Sequence, residues 1–414
     1  MRDALASLTT RGRTFLAAGT TTVVCGLVLG QWVMTQLGLV AVLLPLGAAF
    51  FLSRSQHHLT LQRTVTPRLV VAGQSATVQL RLANDGKVPS GTLLLEEVVP
   101  YALGQRPRFV LEGVGRGWSR DLAYPVRSEV RGRHVVGPMT VRVTDPFGMV
   151  EMGRTFHSTT DLVATPRTVA LTSGDPAQAW AGSGHSRPRS FSVGHAEDVT
   201  VREYQQGDDV RRVHWPSSAR TDELMVRREE QPWQARTVVV LDTRTRAHRG
   251  RGSASSFETA VSAAASLAVH LAEQGHEVQV ATATGLLPVT VVAATSSAHG
   301  HEVTDILEAL AVVDVDSIES LDVSWLMSVP TGTQVAAVLG ALDTTDHYAL
   351  ARLERHSRSP RALVLDVDAW TSTRRASGAS AAETTLAGLS ASGWRAALLG
   401  PGDDLDTVWK QVAR

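Results

Sequence analysis

Forty consecutive residues near the start of the chain, Thr14–Ser53, carry no charge. As a helix they would extend about 60 Å, enough to cross a hydrocarbon layer of about 30 Å twice. Polar amides and a tryptophan cluster between Gly30 and Gln36. That divides the segment into two expected spans, about Phe15–Met34 and Leu37–Leu52, with Pro45 a candidate kink in the second. Arg2, Arg11 and Arg13 precede the segment and Arg54, Arg63 and Arg68 follow it, while its middle has no cation. The positive-inside rule then predicts that both chain ends face the cytoplasm. Gln-Trp-Val-Met-Thr-Gln after Gly30 is a poor cleavage site for a signal peptide.

Beyond this segment the pattern changes twice. Over residues 59–165 short apolar or alternating runs predict strands at Leu69–Val71, Ala76–Leu82, Thr92–Val99, Val135–Val143 and Met149–Phe156. Turn clusters such as Asn84-Asp85-Gly86 and Asp145-Pro146-Phe147-Gly148 separate them. This is the pattern of a small β-sandwich-like domain. Residues 166–196, rich in Ser, Gly, Pro and Ala from about 171 onward, read as a linker or mobile loop. From residue 236 to 414 strands and helices alternate. Strands are expected at Thr237–Asp242, Glu277–Ala283, Leu287–Val292, Thr333–Leu342, Arg361–Val367 and Trp394–Leu399. Helices are expected at Phe257–Gln274, His301–Val312, Thr344–His356, Ala381–Ala391 and Asp403–Val412. Alternation of this kind predicts a mostly parallel, doubly wound α/β sheet, with ligands at the carboxyl ends of its strands. Asp242, Asp343 and Asp366 lie at those ends. The fold class expected is therefore α+β multidomain: an N-terminal transmembrane helical hairpin, a β-sandwich-like domain and a C-terminal α/β domain.

Composition narrows the chemistry. Forty cations balance forty anions, so no net field draws the chain to nucleic acid. Cys25 is the only cysteine and sits in the apolar segment, which excludes an intrachain disulfide and a cysteine-built zinc site. The sequence contains no Gly-x4-Gly-Lys-Ser/Thr loop, no His-Glu-x-x-His and no Gly-x-Ser-x-Gly. No cofactor is expected. His185, His195 and His214 lack metal-ligand spacing.

The densest charge lies in residues 197–235. Between Glu197 and Gln231 stand nine acids and six arginines in 35 residues, interleaved with Tyr204 and Trp215 and followed by Trp233. Arginine without lysine favours bidentate pairing to carboxylates. Candidate interaction residues are Arg202, Glu203, Tyr204, Gly207, Asp208, Asp209, Arg211, Arg212, His214, Trp215 and Arg220.

The run Val201-Arg-Glu-Tyr-Gln-Gln-Gly-Asp-Asp-Val-Arg-Arg-Val-His-Trp215, with Ser218-Ala-Arg220 and Glu223-Leu-Met-Val-Arg227, resembles the signature of the bacterial domain-of-unknown-function 58 proteins. Val130-Arg-Gly-Arg-His-Val-Val-Gly-Pro-Met139 and Thr144-Asp-Pro-Phe-Gly148 resemble the segment that precedes it. The resemblance implies a C-terminal domain similar to von Willebrand factor A domains. It also implies a MoxR-type AAA+ ATPase as partner, with a transglutaminase-like membrane protein as a further one, and an adaptor role in cell-envelope processes rather than catalysis. In such domains a metal-ion-dependent adhesion site has the form Asp-x-Ser-x-Ser. Here Asp242-Thr243-Arg244-Thr245-Arg246 puts arginine at both hydroxyl positions, a degenerate site that would repel a cation. Use of Thr243 and Thr245 instead would require the opposite face of the chain. The competing expectation is a metal-dependent hydrolase built on Asp208, Asp209, His214 and Asp242.

Overall fold

A computed structural model describes residues 7–55, 59–84, 92–112, 117–145, 147–172, 201–204, 213, 215–221, 223–227, 235–291, 299–371 and 380–413. Two compact units result. The first comprises Met1–Arg167, Arg251–Ala254 and Leu307–Asp314, and the second comprises Thr168–Gly250, Ser255–Ile306 and Val315–Arg414.

The first unit begins with helices α1 (Thr10–Val28) and α2 (Trp32–Ser55). The chain reverses at Leu29–Gln31, where Gly30 takes φ +68. The break falls at the start of the expected Gly30–Gln36 division, so the first helix ends before Met34 and the second begins before Leu37, and α2 runs through Pro45 without ending. Glycines permit the close approach of the two helices. A Cβ at Gly38 would lie 2.7 Å from the Val23 backbone nitrogen, and one at Gly19 would lie 2.9 Å from Val42. Among the described residues one helix is long and apolar enough to cross a membrane, over Trp32–Phe50, with mean hydropathy 2.0. The expectation of two such spans is thus met by one. The physical reason is composition: α1 holds a run of threonines whose hydroxyls bond back to their own helix, as Thr21 does to the Ala17 carbonyl (2.9 Å).

Ten strands follow: β1 (Leu59–Thr66), β2 (Leu69–Val71), β3 (Ser75–Asn84), β4 (Thr92–Glu97), β5 (Arg108–Leu111), β6 (Ser119–Arg127), β7 (Gly132–Val136), β8 (Met139–Thr144), β9 (Glu151–Phe156) and β10 (Thr160–Thr165). They form antiparallel sheets β1-β3-β6 and β5-β4-β8-β9, with a smaller mixed sheet β2-β10-β7. In β3 every second residue is buried, and Val78, Leu80 and Leu82 share one core with Leu93, Leu95, Val141 and Val143. The expected strand Val135–Val143 is in fact two strands in different sheets. Pro138 has no N–H for a ladder, and Gly137 takes φ +101, which ends β7. A charged group also lies in this interior. Glu97, fully buried, accepts from Arg63 Nε (2.5 Å) and from the Tyr124 hydroxyl (2.5 Å). Burial, then the Glu97 hydrogen bond, raises the Tyr124 pKa above its ordinary value.

The start of α1 is tied to the turn between β8 and β9. Leu8 bridges Val150, the Thr9 hydroxyl donates to the Gly148 carbonyl (2.7 Å), and the Thr9 N–H donates to the Met149 carbonyl (2.9 Å). A Cβ at Gly12 would sit 2.2 Å from that Met149 carbonyl, so only glycine fits there. The Asp145 carboxylate holds the turn by accepting from the N–H groups of Phe147 (3.0 Å) and Val150 (2.7 Å).

The second unit contains a two-stranded sheet of β11 (Val201–Glu203) and β12 (Met225–Arg227), with the short helix α3 (Trp215–Thr221) between them in sequence. Its main body runs β13 (Arg236–Leu241), α4 (Ser256–Glu273), β14 (Glu277–Thr282), β15 (Gly285–Val291), α5 (His299–Ala311, of which the part from Leu307 onward is counted with the first unit), β16 (Gln334–Leu339), α6 (His347–His356), β17 (Arg361–Leu365), α7 (Ala381–Ala391), β18 (Arg395–Leu399) and α8 (Leu405–Ala413). The six strands order β15-β14-β13-β16-β17-β18, all parallel except the edge strand β15. In chain order this is 3-2-1-4-5-6, a doubly wound sheet whose direction of winding reverses between β13 and β16. The inner strands are apolar on both faces, as Val238–Leu241 and Val335–Leu339 require in a covered sheet.

At the amino-terminal end of this sheet, His276 Nδ1 lies 2.8 Å from the Thr237 hydroxyl. Burial, then the charge of Arg361 and of His270, lowers its pKa from 6.5 to about 4. The folded state therefore binds this proton more weakly than the unfolded state. His276 contributes stability above pH 6.5, and that contribution is lost as the pH falls toward 4. Thermal unfolding of the detergent-solubilised chain should show a midpoint that drops across this window. His276→Asn should flatten the drop, by an amount on the order of 2–3 kcal/mol at its acid end. An unchanged slope in the variant would show that His276 is not the group responsible.

Candidate functional site

The crevice at the reversal of a doubly wound sheet, outside the carboxyl ends of its strands, is where such folds place ligands. Here it lies between the ends of β13 and β16. β13 delivers Asp242, and the chain leaves it in extended form. Alternate side chains then face opposite ways, so Asp242 and Arg244 share one side and Thr243 the other. The Thr243 hydroxyl donates to Asp316 Oδ2 (2.7 Å) and accepts from the Ala283 N–H (3.2 Å). The Thr245 hydroxyl donates to the Asp316 carbonyl (2.9 Å).

On the crevice side, Asp242 and Arg244 are both fully buried. Arg244 Nε donates to Asp242 Oδ1 and Nη2 to Oδ2, each at 2.8 Å, a two-pronged pair. Arg244 Nη1 reaches Asp346 Oδ1 at 2.5 Å and the Glu319 carbonyl at 3.3 Å. Asp242 also accepts from the backbone N–H of Arg244 (3.1 Å) and of Gly340 (3.3 Å). Burial opposes the Arg244 charge. The hydrogen bonds and charge of Asp242, then those of Asp346, more than offset it and raise the pKa above its ordinary value. Gly340 lets β16 approach: a Cβ there would sit 2.2 Å from the Ala247 carbonyl.

A second guanidinium extends the cluster outward. Arg246 donates to both oxygens of Asp346 (3.2 Å each), pairs with Asp343, and donates from Nε to the Glu319 carbonyl (2.6 Å). Asp343 begins a turn by accepting from the Thr345 N–H (2.8 Å), while Asp346 accepts from the Asp343 N–H (3.1 Å). Hydrogen bonds from the Thr345 hydroxyl and N–H, then from Arg246, lower the Asp343 pKa to about 2. Beneath Asp242, His248 Nε2 lies 2.7 Å from the Asp242 carbonyl and Nδ1 lies 3.2 Å from the Ser256 hydroxyl. A carbonyl only accepts, which assigns the proton to Nε2. Burial lowers the His248 pKa, favouring this neutral form.

The crevice is therefore filled by the chain's own cation. Asp242 spends both oxygens on Arg244. Among the described residues no group of three or more His, Cys, Asp or Glu could hold a metal ion. Of the other strand-end acids, Asp343 joins the cluster through Arg246. Asp366 does not: its N–H donates to the Leu399 carbonyl (3.1 Å), and its Oδ1 is buried with no hydrogen-bond partner. Asp346, Asp316 and His248 complete the site and escaped the sequence reading. The spacing Asp343-x-x-Asp346, an acid three residues past a capping acid, was the one signal pointing to Asp346.

The charged motif is described in part. Gly207, Asp208, Asp209, Arg211, Arg212 and His214 lie outside the described residues, as does residue 173 onward of the expected linker. Arg202 and Glu203 belong to β11. The Tyr204 N–H donates to the Leu224 carbonyl (2.7 Å), and Ser218 Oγ accepts from the Met225 N–H (2.8 Å), which ties α3 to β12. Trp215 is 65% exposed, and Arg220 is exposed in the last turn of α3.

Arg244→Met should lower stability by about 3–5 kcal/mol, because it leaves the buried Asp242 carboxylate without a counter-charge and Asp346 with Arg246 alone. Arg244→Lys should rescue only part of the loss, since an ammonium cannot reproduce the two-pronged pair. Denaturant unfolding of the solubilised chain reads both, and a Met variant as stable as wild type would contradict the arrangement.

Comparison with known proteins adds a family match over part of the chain. No curated protein matches the chain. Among solved structures, the CARDB domain of a Pyrococcus furiosus protein, in complex with di-metal ions, is 15% identical over 26% of this chain and 91% of its own, with a TM-score of 0.20. The putative ApaA protein of Bordetella pertussis is 12% identical over 27% of this chain and 94% of its own, with a TM-score of 0.19. At such TM-scores neither establishes a common fold. Residues 200–347 match the family model described as protein of unknown function DUF58, a stretch that holds most of the charged motif and the Asp242–Arg244–Asp346 cluster.

Proposed function

We propose that this chain is a membrane-anchored, non-enzymatic interaction protein whose α/β domain is similar to von Willebrand factor A domains and acts with a MoxR-type AAA+ ATPase in cell-envelope processes. The observation that carries the reading is the guanidinium of Arg244 between Asp242 and Asp346. A crevice that would take a cation or a substrate already holds an internal cation, so the domain's outer surface is left to act. The 3-2-1-4-5-6 strand order with an antiparallel edge supports the likeness to von Willebrand factor A domains. The apolar helix over Trp32–Phe50 supports the anchor. In this reading α1 and α2 cross the bilayer as a pair, with both chain ends in the cytoplasm. The exposed Trp215 and the arginine-acid motif around it offer a ring and charges to a partner. The ATPase itself is named by the family resemblance.

Affinity capture of the tagged full-length chain from native membranes, after cross-linking, should recover the ATPase. Asp208→Ala and Arg211→Ala should each reduce that recovery. If both variants fold and recover it as well as wild type, the docking role of the motif is wrong. Mg²⁺ or Mn²⁺ should leave the thermal midpoint of the purified chain unchanged. A rise in midpoint together with a bound divalent ion by elemental analysis would favour a metal-dependent enzyme instead.

A further inference from the structure

Helix α6 separates two hollows in the second unit, and one of them has the chemistry of a docking surface. It is a concavity of ≈ 500 Å³ lined by Leu326, Met327, Val329, Thr331, Tyr348, Arg352, Arg355 and His356. Met327 stands on a short turn whose neighbours Trp325 and Leu326 are buried, yet it is itself 85% exposed. Tyr348, on the first turn of α6, is 69% exposed. The Arg352 guanidinium lies 6.0 Å from the centre of its ring. Arg355 Nε donates to the Ala351 carbonyl (3.1 Å), and His356 Nε2 lies 3.0 Å from the carbonyls of Val329 and Pro330. Among the described residues no carboxylate forms a salt bridge with Arg352 or Arg355, although arginines elsewhere in this unit do pair: Arg236 with Glu277, Arg244 with Asp242, and Arg246 with Asp343.

The geometry points to this hollow as the docking site for an acidic amphipathic helix of a partner protein. The proposal rests on the adaptor reading and says which face of this chain does the gripping. Met, Tyr and Arg are the residue types enriched at protein interfaces. An apolar residue of the partner fills the hollow beside Met327 and Tyr348, and carboxylates one turn away on the same helix meet Arg352 and Arg355. The unpaired arginines select the sign of the partner's charge. A concavity favours an inserted side chain over a bilayer, which would meet a protruding apolar face instead.

Fluorescence anisotropy with the detergent-solubilised full-length chain tests the site directly. The probe is a synthetic amphipathic helix of Glu, Leu and Ala with leucines at i, i+3, i+4 and i+7. Binding should saturate, and the double variant R352E/R355E should weaken it by at least about tenfold. Met327→Ser should weaken it as well, and the same peptide with Lys for Glu should prefer R352E/R355E. No saturable binding, or equal binding by wild type and R352E/R355E, overturns the proposal. So does a photo-cross-linker at position 327 that labels lipid rather than peptide in native membranes. The ATPase capture separates this proposal from the reading beneath it. Capture lost in R352E/R355E supports this face, and undiminished capture overturns the face while leaving the adaptor reading intact. Capture absent from wild type as well defeats the adaptor reading, and the peptide measurement then decides the face alone.

Discussion

Two carboxylates buried at the reversal of a parallel sheet need a positive charge between them, and Arg244 supplies it. A guanidinium suits the place better than a lysine, because its planar fork meets Asp242 with two parallel hydrogen bonds and still reaches Asp346. The same group gathers three stretches of chain. It fixes the segment after β13 by pairing within it, draws in the Glu319 carbonyl, and holds the turn that opens α6 through Asp346. Arg246 repeats the pattern nearer the surface. Removing the cation would expose the remaining carboxylates to each other's charge in a place that water does not reach. The crevice is thereby occupied by the chain's own guanidinium.

The α/β unit was largely legible in the sequence because its strands are covered on both faces. Val-rich and Ala-rich runs stand out there, and Ala381–Ala391 was bounded as the structure has it. The first unit was less legible. β6 reads Ser-Arg-Asp-Leu-Ala-Tyr-Pro-Val-Arg, a charged sequence with a proline, and it is an edge strand whose outer residues face solvent. β1 and β5 were missed on the same account, since half-buried strands of mixed composition carry a weak periodic signal, and β10 was missed because its buried run, Leu162–Thr165, is only four residues long. The candidate site divides similarly. The alternation Asp242-x-Arg244-x-Arg246 showed in the sequence that an acid and two arginines could share one side of the chain. The acids that hold those arginines from a distance, Asp346 about a hundred positions on and Asp343 with it, are set by strand order, which no local pattern encodes.

The two units solve the burial of charge in different ways. In the first, Glu97 is satisfied by Arg63 and the Tyr124 hydroxyl inside a core of aliphatic side chains. In the second, the acids lie at strand ends, where loops can bring arginines to them. Both arrangements give these buried acids a cation or a hydroxyl, whereas among the described residues Arg352 and Arg355 form no salt bridge.

A double-mutant cycle between Arg244 and Asp346, read by denaturant unfolding, tests the sealed crevice most directly. Arg244→Met and Asp346→Asn should each destabilise the chain, and the pair together should cost clearly less than the sum, because each change alone already removes the buried contact the two side chains share. Strictly additive losses would mean that the two side chains do not share a buried charge contact, and the account of the crevice would fail.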